Sequence, residues 1–192
     1  MIELPDFSPL RVTATTLAPT RATLDRLDHL LVVTAPGNAA QVARLPYCKQ
    51  LPALFQRARR NGDDFASSRA ANESATGLTL GTFAATPGFA ALSWAAKALR
   101  ECLRDKPRSL GIALVGLDAS AERTAAESLA AAAHAAAFAL PEFKSAKKTP
   151  RPARPSTLHL FATHDNADLA SAHAEALGNN VARWFTALPP NV

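Results

Sequence analysis

The chain has 192 residues, 48% of them hydrophobic and 19% charged, a balance that supports one globular domain or a small pair and needs neither a disulfide nor a metal to hold a core. Cys48 and Cys102 lie far apart with no CxxC spacing, which argues against a disulfide framework and fits a reducing compartment. The N-terminus carries Glu3 and Asp6 with no apolar h-region, and no run reaches the roughly 20 apolar residues of a membrane span, so a cytoplasmic protein with no membrane partner is expected.

Pro9 to Thr15 alternates Leu10, Val12 and Ala14 with polar neighbours, the pattern of a half-buried strand. His29 to Ala35 is a continuous apolar run ending at the turn Pro36-Gly37-Asn38, which predicts a fully buried strand. Leu51, Leu54, Phe55 and Ala58 recur at helical spacing, so 51–60 reads as a short helix ending at Asn61-Gly62. Gly77 to Ala84 reads as a strand. Phe89 to Arg104 is the clearest helix, with Leu92, Ala95, Ala96, Leu99 and Leu103 as its apolar stripe and Ser93, Lys97, Arg100, Glu101 and Arg104 opposite. Ser109 to Leu117 is a second buried strand. Ser120 can cap the alanine-rich helix that runs from there to Leu140 and stops at Pro141. Thr157 to Thr163 is a further strand. Asp165 or Asn166 caps a last helix whose stripe is Ala170, Ala174, Leu177, Val181, Trp184 and Leu188, with Gly178 inside it. The alternation of strand and helix in the second half predicts an α/β sheet covered on both faces, and the first third reads as richer in strands that would make the sheet mixed.

Catalytic motifs are missing: there is no HExxH, GxSxG, Walker A loop or GxGxxG. His159 and His164 straddle a predicted strand end with Asp165 following, so a metal pair is conceivable, but that spacing does not force convergence on one ion, and ordinary surface or core histidines are the plainer reading. Asp63-Asp64 reads as a solvated turn. Pro36-Gly37-Asn38 and Asp118 follow buried strands, and Thr86-Pro87-Gly88 precedes a helix. Such positions can line a nucleotide-type pocket at the carboxyl ends of strands, or be plain turns and caps. Trp94 and Trp184 are expected to pack in the core or an interface, and Phe138 and Phe143 to fill gaps beside the alanine helix. The net charge of +5 concentrates in Lys144, Lys147, Lys148, Arg151 and Arg154, among Pro150, Pro152 and Pro155. That segment reads as a solvated extended connector, with a DNA contact as the alternative.

Two segments resemble the N-terminal domain of bacterial leucyl aminopeptidases of the M17 family. Phe138-Ala-Leu140-Pro-Glu-Phe143-Lys144 is similar to the aromatic-x-aromatic-x-x-aromatic-Lys pattern that closes a helix there, with phenylalanines for tyrosines. Asn180-Val181-Ala182-Arg183-Trp184-Phe185-Thr186-Ala187-Leu188-Pro189-Pro190-Asn191 is similar to the family's Asn-x-Ala-Arg-x-Leu-x-Asn-x-Pro-Pro-Asn, which ends the helix leading to the catalytic domain. The resemblance implies a three-layer α/β/α fold with a macro-domain-like mixed sheet over residues 1–187, the basic connector 144–156 inside it, and 188–192 as the start of a linker to a catalytic domain not in this chain. It implies a parent enzyme that removes N-terminal residues from peptides, forms hexamers and uses two divalent metals, zinc or manganese. The family's Asn-Thr-Asp-Ala-Glu-Gly-Arg signature is absent, so no catalytic, cofactor-binding or metal-ligating residue is assigned here. Arg183 and Asn191 match the motif and are expected at a helix end and a domain junction.

The expected role is therefore assembly and control of access to an active site carried elsewhere, with an apolar patch on the last helix for the catalytic domain to cover. The alternatives are a free-standing macro-like nucleotide-binding module and a DNA-binding module.

Overall fold

The computed structural model describes residues 4–84, 86–140, 154–161 and 169–188. Six strands form one sheet in the order β1-β6-β5-β2-β4-β3. They are β1 Arg11–Thr15, β2 His29–Thr34, β3 Phe65–Arg69, β4 Gly77–Thr82, β5 Ser109–Val115 and β6 Thr157–Phe161. All neighbouring pairs are parallel except β3–β4, where the antiparallel edge strand closes the sheet. The mixed sheet expected from the sequence is present, as is the cover of helices on both faces.

Side-chain alternation along β2 divides the core in two. Leu31 and Val33 face a cluster built with α4 (Phe89–Cys102) and α5 (Ala119–Ala137), against which Leu169 of α6 (Leu169–Ala187) also packs. Leu30 and Val32 face the other cluster, built with Val42 of α2 (Ala39–Val42) and Leu51 and Phe55 of α3 (Leu51–Arg60); Leu24 of the short α1 (Arg21–Leu24) completes it. Every residue of β2 is buried, which explains its uninterrupted apolar run. Cys48 and Cys102 are buried free thiols, and burial pushes each up to about 12, so they behave as small core residues.

Several expectations need correction. The first third is not strand-rich: α1, α2 and α3 outnumber β1 and β2 before β3 begins. The strand β3 has no counterpart among the predicted elements because Phe65-Ala-Ser-Ser-Arg69 is half polar, as suits an edge strand with one exposed side. Asp118, not Ser120, caps α5: its carboxylate accepts from the Ala121 N–H at 2.8 Å. The stripe of α4 is Ala91, Ala95, Ala98, Leu99 and Cys102, leaving Leu92 45% exposed. That of α6 is Ala172, Ala176, Asn180 and Trp184, a strict i+4 row; Leu177 and Phe185 point outward. Both phases shifted because helix–helix contacts here select alanine, which lets the backbones approach, over the larger residues. The proposed caps Asp165 and Asn166, with Phe143, His164 and Pro189 to Asn191, lie outside the described residues.

Candidate functional site

Among the described residues, two places bring functional chemistry together: the corner where α5 ends against α6, and the crevice at the carboxyl ends of β2 and β4.

At the corner, α5 finishes at Ala137 with its last carbonyls lacking intrahelical partners. Two arginines from distant parts of the chain satisfy them. Arg183 on α6 donates to the Ala135 carbonyl at 3.1 Å, and Arg154 donates to the carbonyls of Ala136, at 3.2 Å, and Phe138. Both charges also complement the negative end of the helix dipole. The Arg183 guanidinium lies over the Phe138 ring, 5.9 Å from its centre, and Phe138 stacks on Phe7. Trp184 meets Phe7 edge-on at 5.8 Å, and buried Asn180 donates to the Phe7 carbonyl at 3.0 Å. Asn180, Arg183 and Trp184, the core of the C-terminal motif, therefore face inward and staple α6 to α5 and to the N-terminal segment. The helix-end role expected of Arg183 is found, on α5. The sequence pattern places Arg154 in a solvated basic connector; its guanidinium is instead committed to α5. Lys144, Lys147, Lys148 and Arg151 lie outside the described residues.

At the crevice, the connection leaving β2 runs toward α2 and α3 on one face of the sheet, while that leaving β4 runs to α4 on the other. Adjacent strands whose connections part in this way leave an opening at their carboxyl ends, where open α/β sheets bind ligands. The opening holds a cavity of about 560 Å³ lined by Gly37, Phe55, Arg59, Asp64, Thr82, Trp94 and Lys97 among others. A neighbouring cavity of about 570 Å³ shares Gly37, Phe55, Arg59 and Thr82. Gly37 has φ of 86°, which glycine adopts without strain and which shapes the turn at the rim. The next residue, Asn38, donates to the Gly116 carbonyl at 2.6 Å, tying the loops after β2 and β5 together. Trp94 is partly buried, edge-on to Phe83 at 5.0 Å and tilted against Phe65 at 5.9 Å. Arg59 pairs with Asp64 at 3.2 Å, both more than half exposed. Thr34, the last residue of β2 and in register with Thr82, is fully buried, and its hydroxyl has no hydrogen-bond partner among the described residues.

The other sequence-flagged residues take plainer roles. Asp118 is a helix cap. Gly88 precedes α4 without a side-chain cap and lines a separate groove of about 330 Å³ between α4, α5 and α6. His159 hydrogen-bonds Thr13 at 2.8 Å between neighbouring strands. His134 is buried and meets His173 edge-on at 5.0 Å; burial, then the His173 charge, holds its pKa below the usual histidine value. Among the described residues no group of three or more His, Cys, Asp or Glu side chains is placed to hold a metal ion. No sequence pattern groups Arg59, Trp94 and Lys97. They lie on two helices from opposite faces, so no local spacing links them.

No family model matches the sequence, and no curated protein matches it by sequence. Solved structures do match. A mutant of tomato leucine aminopeptidase aligns with a TM-score of 0.61 at 16% identity, over 93% of this chain and 38% of its own. A leucyl aminopeptidase from Trypanosoma brucei, in its apo form, aligns with a TM-score of 0.51 at 12% identity, over 96% of this chain and 38% of its own. An M17 aminopeptidase from the same organism gives 0.52 at 11%, with the same coverage. The shared property is the fold. This chain spans well under half the length of each of those proteins.

Proposed function

We propose that this chain is the non-catalytic N-terminal domain of a metal-dependent leucyl aminopeptidase of the M17 type. The observation that carries the reading is the match of 93% of the chain to 38% of an aminopeptidase, in a fold whose last helix bears the Asn-x-Ala-Arg motif. Two further features support it. The motif residues stiffen α6 against α5, so that whatever follows α6 would be held at a defined angle. Flanking that buried row, α6 presents Phe185, 62% exposed, and Leu177, 38% exposed, as apolar surface for an adjoining domain.

In this reading the chain supplies assembly and shapes access to an active site, and the parent is a cytoplasmic hexamer that removes N-terminal residues from peptides. The described residues do not fit the two divalent metals such an enzyme uses, so no catalytic step is derived through this chain. Among the described residues no helix is long and apolar enough to cross a membrane.

The test is to read the coding sequence beyond Val192 and express the whole product. The expected result is a following domain with an aspartate, glutamate and lysine ligand set, and hydrolysis of leucyl-p-nitroanilide that a chelator abolishes. A stop codon at that point, or a following domain without such ligands, would overturn the reading.

A further inference from the structure

We propose that the crevice at the carboxyl ends of β2 and β4 binds a mononucleotide, with its phosphate on Arg59 and Lys97 and its base against Trp94 and Phe55. This is independent of the aminopeptidase reading, because none of these residues belongs to the α5–α6 corner.

Shape comes first. A cavity of about 560 Å³ falls within the range of small-molecule sites, roughly 300–1,000 Å³, and a second cavity adjoins it through Phe55, Arg59 and Thr82. It lies where the chain connections part, so the loop residue Gly37, the strand-end residue Thr82 and the sides of α3 and α4 line it together.

The chemistry is divided between two walls. Trp94 and Phe55 supply apolar surface from α4 and α3. The ring of Trp94 already packs against Phe83 and Phe65, so a ligand's planar face would meet a side chain whose freedom is already restricted. Arg59 and Lys97 supply positive charge from the same two helices. Lys97 is exposed and has no ion-pair partner among the described residues. Arg59 has Asp64, in an exposed pair whose net worth is small, about 0–1 kcal/mol, so an incoming phosphate can replace that carboxylate. Two cations against a dianionic phosphate monoester leave a near-neutral complex. A carboxylic acid would leave one cation unmatched once Asp64 is displaced.

The experiment is calorimetric titration of the full chain with AMP, adenosine and inorganic phosphate, repeated on the Arg59→Ala/Lys97→Ala double variant and on Asp64→Asn. The positive result is saturable AMP binding that weakens by at least about tenfold in the double variant, with phosphate and adenosine each much weaker than AMP. Asp64→Asn should bind AMP more tightly, because the competing carboxylate is gone. Both sets of substitutions sit at exposed positions, and circular dichroism checks that the fold is kept. Absence of saturable binding up to millimolar AMP would overturn the proposal. So would equal binding by the double variant, no gain in Asp64→Asn, or phosphate alone binding as tightly as AMP. Loss of AMP binding here would leave the aminopeptidase reading untouched.

Discussion

The two ends of β2 are built in opposite ways. At the amino end, polar groups stitch the loops shut. The Asp28 carboxylate accepts from the N–H groups of Arg108 and Ser109 at 2.8 and 2.9 Å; burial opposes its ionisation, but these bonds hold its pKa below the usual value. The Thr76 hydroxyl bridges toward the carbonyls of Leu24 and Leu27 at 2.9 and 3.0 Å. Buried His29 joins Thr79 through Nε2 at 2.9 Å, though its Nδ1 has no hydrogen-bond partner among the described residues, and Thr79 joins Ser67 at 2.9 Å on the edge strand. At the carboxyl end there is instead an open crevice with charged groups at its rim. A sheet gains stability at the end that is closed and keeps its capacity to bind at the end that is open.

The largest test of that contrast is acid. Burial lowers the His29 pKa from 6.5 to about 4, Asp105 opposing and Arg69 reinforcing that effect, so the folded protein holds a neutral ring. The unfolded chain takes up a proton below pH 6.5 and the folded chain does not, so stability is lost as the pH falls from there toward about 4. The loss should approach about 3 kcal/mol, because each pH step between those two values is worth roughly 1.4 kcal/mol. Urea denaturation across this range, with the His29 ring resonances followed by NMR, checks it; a ring that titrates near 6.5 would show that the amino end is not closed.

Next is Gly77→Ala. A Cβ at Gly77 would sit 2.2 Å from His29 Nδ1, and the ring is pinned by Thr79, so it cannot move aside without breaking that bond. Overpacking of this kind should cost about 2 kcal/mol, seen as a lower urea midpoint at neutral pH. A neutral outcome would mean that the amino end has slack.

The carboxyl end should respond in the other direction. Thr34→Val replaces an unpaired buried hydroxyl by a methyl of the same shape and should raise stability by about 1 kcal/mol in a thermal melt. A drop would mean that the hydroxyl has a partner and that the end is not open there. Smallest of all, the Arg59→Ala/Lys97→Ala pair should leave stability within about 0.5 kcal/mol, since both side chains are exposed on helix surfaces. A larger loss would assign these cations to the scaffold.

Much of this molecule is legible from local pattern. The apolar run from His29, the helical spacing of Leu51 to Arg60 and the glycine that opens β4 all mark elements whose observed bounds agree with expectation to within a residue or two. The resemblance of the C-terminal helix pointed to a three-layer fold, and the sheet bears that out. Local pattern fails where hydropathy carries little contrast. Ala-rich α4 and α6 could not be phased, because alanine suits both a buried and an exposed position, and Asn180 sits in the buried row where a hydropathy pattern calls for an apolar residue. The edge strand β3 escapes the same pattern because half of it faces solvent.

The sequence by itself determined the longer strands and helices, though not β3 or the short α1 and α2, and the absence of a known catalytic motif. Both depend on spacings of a few residues, within reach of a single turn or pleat. Only the tertiary structure decided the roles of the flagged residues. It took Arg154, Arg183 and Trp184 into a helix-end staple, and it placed Arg59, Trp94 and Lys97 around one opening. Those groupings span tens of residues in the chain, and only the order in which the strands pair brings them together.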